Sequence, residues 1–258
     1  MLRTFVANLR KQHWGQALLE LLMVVIGILL AFQVDRWWEE RKDLALQQEY
    51  IERLIGDIEQ DVEQLQNGIM LAETRRSFAK LLMDVAEDPA IAVDSPVEFT
   101  LAVNQAAYTY TPALSSNTFD ELRSTGNLGL LRAPDITNAL FDYYRYDESQ
   151  RQYLSLKLMQ EFRHFVLAAG VLTNRQARRA EDDWGIVSAS ELEAFREAPV
   201  NLDDVRASAE RLSANAELVA WLPIAYGMQR EQATEQHARL DRARSLLDIL
   251  RSAVRTAS

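Results

Sequence analysis

Cysteine is absent from this 258-residue chain, which excludes disulfides, thiolate zinc sites and cysteine nucleophiles. Glycine (9) and proline (6) are scarce, and the abundance of Leu, Ala, Glu, Gln and Arg favours helix over sheet. Only three histidines occur, His13, His164 and His237, so nucleophilic triads have few bases to draw on. Neither a Gly-x-Ser-x-Gly turn nor a phosphate-binding loop is found. Repeats of 20–50 residues and low-complexity tracts are also missing.

Positive charge is in deficit. The formal net charge is −10, and residues 1–19 carry Arg3, Arg10 and Lys11 with no acid, leaving −13 on the rest. An acidic body argues against nucleic acid as a partner and against a polybasic lipid-surface role.

One long apolar run is present, ALLELLMVVIGILLAFQV, from Ala17 to Val34. As a helix it is roughly 27 Å long, enough for the hydrocarbon core of a bilayer. Its Leu, Val, Ile and Phe residues favour insertion by roughly 4–7 kcal/mol, against about 2.5–3.5 kcal/mol for a central carboxylate. Glu20 lies near one end, where snorkelling or protonation lowers that cost. Trp14 before the run and Trp37–Trp38 after it have the placement of interfacial aromatic belts.

The rival reading is a cleaved signal peptide, because the strictly apolar part, Leu21–Phe32, has the length of a signal core. No clean small-x-small cleavage site follows it, a glutamate there would be unusual, and no Gly or Pro occurs from Ile28 to Ile55. The expectation is therefore a cytoplasmic segment over 1–15, a transmembrane helix over 16–36 and an extracytoplasmic helical bundle over 37–258. The positive-inside bias sets that orientation. The bilayer is then one partner. Glu20, Gly27 and Ala31 share a helical stripe, and Gly27-xxx-Ala31 is a small-xxx-small pair that admits a second helix. Glu20 has three readings: facing headgroups, bonding a partner helix, or lining an ion path.

Beyond the run, Ile51, Leu54, Ile55, Ile58, Val62, Leu65, Ile69 and Ala72 recur at helical spacing, with Glu52, Glu59, Gln60 and Glu63 opposite. This helix is expected to end near Glu87-Asp88-Pro89. Ser95-Pro96-Val97-Glu98 reads as a capped start for a helix reaching Tyr110. Thr118 with Glu121 offers a second capping box, Gly126 a C-terminal cap, and Pro134 another start. A further helix carries Leu154, Leu158, Phe162 and Phe165 up to Gly170. The last begins near Pro223, with Tyr226, Ala233, His237, Leu240, Leu247, Leu250 and Val254 on its stripe. The fold class is all-α: one N-terminal transmembrane helix continuing into an extracytoplasmic bundle.

Chemistry is thin. Glu161 and His164 form one Glu-x-x-His, but paired copies are needed to build a di-metal centre in a bundle. The acidic triplet Glu181-Asp182-Asp183 lacks the alternating spacing of a calcium loop. Tyr108, Tyr110, Tyr143, Tyr144 and Tyr146 are concentrated enough to pack helices together or, with Tyr143 and Tyr144, to line a pocket. No cofactor is expected, and no catalytic residue stands out.

Two stretches carry a resemblance. Glu20, Gly27-Ile28-Leu29, Ala31-x-Gln33 and Trp37-Trp38 resemble the anchor of an uncharacterised bacterial family of single-span membrane proteins. Trp38 stands where that anchor commonly has Asn. Thr118-Phe-Asp-Glu-Leu-Arg-Ser-Thr-Gly-Asn-Leu128, with Thr118, Glu121, Gly126 and Asn127 as its marker positions, is similar to the same family's central helix–turn–helix. The resemblance implies topology and fold, with the span in the inner membrane of a bacterium and the bundle over 37–258 in the periplasm, and lends no activity. The function expected is that of a non-enzymatic scaffold that self-associates or pairs with another membrane protein. A ligand-binding sensor module is the alternative, and a metal-dependent enzyme around Glu161 and His164 comes after it.

Overall fold

The computed structural model describes residues 14–145, 149–173, 175–176, 186–197 and 199–257. Of residues 14–18, 149–155 and 256–257 only the backbone is described. The expected cytoplasmic residues up to His13, Tyr146 and the triplet 181–183 lie outside the described residues.

Every regular element among the described residues is helical. They are α1 (Trp14–Glu87), α2 (Ile91–Asp94), α3 (Pro96–Gln105), α4 (Asn117–Thr125), a 3₁₀ turn (Asn127–Leu131), α5 (Pro134–Tyr144), α6 (Ser149–Ala168), α7 (Ala189–Arg196), α8 (Leu202–Ser213) and α9 (Ala216–Ala257). The frame is a pair of long helices. Arg251 of α9 meets Glu59, Gln236 meets Gly68, and Ser213, just before α9, meets Ala86. Helix α9 therefore runs antiparallel to α1, and the shorter helices pack around the pair.

The periodicity of α1 explains which face is buried. Tyr50, Leu54, Ile58, Leu65, Leu71, Phe78, Leu82 and Val85 are buried at spacings of three, four, six and seven, while Glu52, Glu59, Gln60 and Glu63 stay exposed, as an amphipathic helix requires. Two hydrophobic cores form along this face. A proximal core joins Tyr50–Leu65 to Phe119, Leu122, Ile136, Leu140 and the Leu240–Leu250 part of α9. A distal core joins Leu71–Val85 to Phe99, Leu101, Phe162, Leu212, Trp221 and Leu222.

Polar groups separate the cores. Residues 106–116 leave the helical regime and cross the bundle as a connector, so their backbone groups need outside partners. On α9, Gln229 Nε2 donates to the carbonyls of Ala106 (3.0 Å) and Tyr108 (2.7 Å). Gln232 and Gln236 both donate to the Tyr110 carbonyl, at 3.0 and 2.8 Å. From α1, Asp61 accepts the Ser115 N–H at 2.7 Å and Gln64 accepts the Tyr110 hydroxyl at 2.7 Å. At Gly68 an added Cβ would lie 2.1 Å from Gln236 Oε1, so only glycine lets this buried glutamine lie flat against α1.

Several boundaries differ from expectation. Helix α3 stops at Gln105, before Tyr110, because the connector's carbonyls are taken by the glutamines of α9. Helix α9 starts at Ala216 and carries Pro223 inside it, with Asn215 Oδ1 accepting the Leu218 N–H at 2.8 Å at its entry. Tyr226 and His237 are exposed, and Gln229 and Gln236 occupy the buried face in their place.

The all-helical class holds. A separate transmembrane helix over 16–36 is not supported in the same way: among the described residues no helix is long and apolar enough to cross a membrane. The physical reason is charge. The apolar stretch whose side chains are described, from Leu19, is hemmed by Glu20 at one end and by Asp35 and Arg36 at the other. Residues 19–34 are one part of the unbroken α1. Still, the large apolar side chains from Leu19 to Trp38 are all 45–64% exposed.

Candidate functional site

The marker residues of the central motif converge on two successive turns of α1. Glu121 accepts the Tyr50 hydroxyl (3.0 Å) and pairs with the Arg53 guanidinium (2.5 Å). Asn127 Nδ2 donates to the Tyr50 hydroxyl oxygen at 3.2 Å, and the Thr118 N–H reaches Asp57 at 3.3 Å. Gly126 adopts φ +76°, the left-handed cap that closes α4 and turns Asn127 back toward Tyr50. The expected capping box is corrected here. Ser116, not Thr118, precedes α4, its hydroxyl bonds Asp120 at 2.7 Å, and Thr118 is buried one residue inside the helix. Glu121 is thus free to serve as a clasp on α1. The Arg53 guanidinium holds the Glu121 carboxyl below the usual carboxylate range, with help from Tyr50.

Tyr143 and Tyr144 extend this clasp toward the connector. Tyr143 is buried and donates to Asp61 Oδ2 at 2.9 Å. Tyr144 donates to the Ser115 carbonyl at 2.9 Å and stacks on Phe119 with centroids 4.6 Å apart. Burial raises the Asp61 carboxyl, opposed by the Ser115 N–H and the Tyr143 hydroxyl. Burial also raises both phenols, with the Asp61 charge adding to it. These tyrosines do not face an open pocket, since both hydroxyls are spent within the fold. Their geometry is that of a structural lock.

At the waist, Arg75 is a second buried polar feature that sequence periodicity does not reveal. It is 2% exposed and donates to the Ile186 carbonyl and to Gln105 Oε1 (3.2 Å). Burial pushes its guanidinium down to about 10. Among the described residues no carboxylate is paired with it.

Beside this waist, on the distal half, the helices leave a cleft of about 480 Å³, within the size range of small-molecule sites. Thr100 and Asn104 of α3, Leu172, Arg175 and Gln176 after α6, Phe195 of α7, and Pro199, Val200, Asn201 and Asp204 around the start of α8 line it. Arg175 pairs with Asp204 at the mouth. Asn201 caps α8, accepting the N–H groups of Asp203 (2.9 Å) and Asp204 (3.3 Å). The lining comes from four separated stretches, and no local sequence signal marks it.

The remaining expected residues lie apart. Glu161 approaches Lys157 at 3.9 Å and His164 is exposed against Phe165. Among the described residues no group of three or more His, Cys, Asp or Glu is placed to hold a metal. Glu20, Gly27 and Ala31 lie on the bare part of α1, and a Cβ added at Gly27 would meet nothing within 4 Å.

The molecule is thus a helical-hairpin protein with a clasp, a polar waist and a cleft on its distal half. The family model described as "Family of unknown function (DUF6090)" matches residues 20–159, just over half of the chain. The chain belongs to that family. The match begins at Glu20 and includes the whole clasp from Thr118 to Asn127 and the tyrosine pair. No curated protein and no solved structure matches the chain.

Proposed function

We propose that the protein is a non-enzymatic, membrane-anchored interaction protein. The first turns of α1 insert in the inner membrane of a bacterium, the N-terminus lies in the cytoplasm, and the helical body stands in the periplasm. One observation carries this reading. From Leu19 to Trp38 the large apolar side chains project on all sides of α1 and stay 45–64% exposed among the described residues. An exposed apolar surface of that extent marks contact with lipid or another chain. Because it encircles the helix, lipid is the better fit, and Ala17 and Leu18 lengthen the run on the side away from Asp35. Arg3, Arg10 and Lys11 before it fit the orientation.

Within the bilayer, the stripe of Glu20, Gly27 and Ala31 is the face through which the helix pairs with a copy of itself or with another membrane protein. Gly27 leaves room for close backbone approach, and Glu20 supplies a hydrogen-bonding group on the same side. Native mass spectrometry of the full chain released in mild detergent tests this. The wild type is expected as a defined complex that Gly27→Leu or Glu20→Leu dissociates. Complexes unchanged by both substitutions would remove the pairing face. A wild type recovered entirely in the soluble fraction would remove the anchor.

A further inference from the structure

We propose that the distal cleft binds a small primary amine, an ammonium group carried on an apolar body such as an aryl ring. This does not depend on the anchor or on the pairing of α1. Leu172, Phe195, Pro199 and Val200 give the cleft its apolar surface, the setting that small-molecule sites provide around a few polar groups.

The polar groups set the sign of the ligand's other end. Thr100 and Asn104 stand one turn apart on α3 and both line the cleft, so they share a helix face. The Thr100 hydroxyl donates to the Pro96 carbonyl at 2.8 Å, which leaves its oxygen as an acceptor. Asn104 Nδ2 is sealed inside the fold, so the accessible end of that amide is its acceptor oxygen. Gln176 and Asn201 hold backbone N–H groups with their own amide oxygens, and their NH2 groups carry no charge to oppose a cation. Helix α8 packs against α3 and brings the Asp204 carboxylate into the same lining. Its pair with Arg175 is lopsided, because the Asp204 side chain is 22% exposed and that of Arg175 is 73% exposed. The carboxylate is therefore the inner member, and the outer guanidinium is held by a surface pairing that contributes little. A ligand ammonium competes with Arg175 for Asp204, with acceptors on α3 beside it. A ligand carboxylate would meet Asp204 and those same acceptors, all of the wrong sign. The net charge of −10 also draws cations toward the molecule.

The test uses the full chain in lipid nanodiscs and fluorine NMR of 2-(4-fluorophenyl)ethylamine, with 4-fluorophenylacetate as the matched acid. Saturable binding of the amine and none of the acid is expected. Asp204→Asn should weaken amine binding at least tenfold while the helical circular dichroism is retained. Arg175→Gln should instead tighten it at least twofold, because the competitor for Asp204 is gone. An ion pair that served only to hold the fold would make the two substitutions act alike. Val200→Trp should abolish binding by filling the opening. The absence of native cysteine gives an independent readout: Val200→Cys should react with a maleimide at least fivefold more slowly when the amine is saturating. No saturable binding of the amine to the wild type, or binding of the acid as tight as that of the amine, would overturn the proposal. So would weaker amine binding by Arg175→Gln, normal binding by Asp204→Asn or Val200→Trp, or labelling of Val200→Cys unaffected by the amine.

Discussion

Helix α1 contains two stretches rich in apolar residues that meet different surroundings. Residues 19–38 and 50–85 are both rich in Leu, Ile and Val, and both lie in one unbroken helix. Along 50–85 the apolar residues fall on one face and are buried, with Leu54, Ile58, Leu65 and Leu82 wholly covered. Along 19–34 they occur on all faces and stay about half exposed. Position around the helix, together with hydrophobicity, separates a core-forming helix from one that needs a second apolar medium. Between the two lie residues 39–49, charged and mostly exposed, spanning ~16 Å of helix. That spacer sets the body off from whatever surrounds the bare end.

Substitutions of equal chemistry in the two stretches should behave oppositely. The largest effect is expected from Leu54→Ala, about 2–5 kcal/mol of stability lost from a packed core site. Leu29→Ala should leave the chemical denaturation midpoint unchanged within error. Equal losses at both positions would mean that residues 19–38 are packed against protein in the working state.

Next is the buried polar waist. Asp61→Ala strands the Ser115 N–H and the Tyr143 hydroxyl and should cost about 2 kcal/mol, the net of two lost hydrogen bonds and a relieved buried charge. Asp61→Asn, whose amide can serve both partners, should cost less than about 1 kcal/mol on the same grounds. The pH dependence has a definite sign. Burial raises the Asp61 carboxyl in the folded state, so the folded protein binds this proton more tightly than the unfolded chain. Its stabilising contribution is full below the ordinary Asp value and is lost as pH rises through the raised one. Wild type should therefore gain on Asp61→Asn when the pH is lowered through that window, measured as a difference in urea midpoint. A gap that is flat with pH would contradict the assignment.

Gly126→Ala forces a side chain into the left-handed region at φ +76° and should cost about 1 kcal/mol, loosening the turn that carries Asn127 to Tyr50. The smallest effect belongs to Glu121→Gln, because its pairing with Arg53 lies at the surface and is screened. Glu121 is held below its ordinary value, so its contribution is present above that value and fades as pH falls through the lowered one. A small drop in melting temperature at neutral pH, vanishing in acid, is the expected pattern.

Much of the helical frame was legible in the sequence. The end of α1 at Glu87 follows from Pro89. Gly126 appears as the left-handed cap its type suggests, and α5 opens on Pro134 at its first turn. What was not legible is what long-range hydrogen bonds decide. Gln229, Gln232 and Gln236 carry no mark in the hydrophobic pattern, yet they sit on the packed side of α9, where they satisfy the connector's carbonyls more than 120 residues away in sequence. The same connector ends α3 early. Thr118 and Glu121 have the spacing of a capping box, but Ser116 stands at the N-cap position with its hydroxyl on Asp120, and Glu121 is drawn to Arg53. Tyr143 and Tyr144 were visible as a pair. That their hydroxyls are consumed by Asp61 and Ser115, while a cleft opens elsewhere, depends on side chains from stretches no periodicity connects.

The most direct test of the central claim, that bare residues 19–38 lie in a bilayer, uses the absence of native cysteine. Single variants Ala31→Cys and Ser124→Cys are expressed in intact cells and treated with a membrane-impermeant maleimide after the outer membrane has been opened. The account predicts rapid labelling at Ser124→Cys, on the exposed side of the clasp, and none at Ala31→Cys until the membrane is dissolved in detergent. Labelling of Ala31→Cys as fast as Ser124→Cys in intact membranes would contradict it.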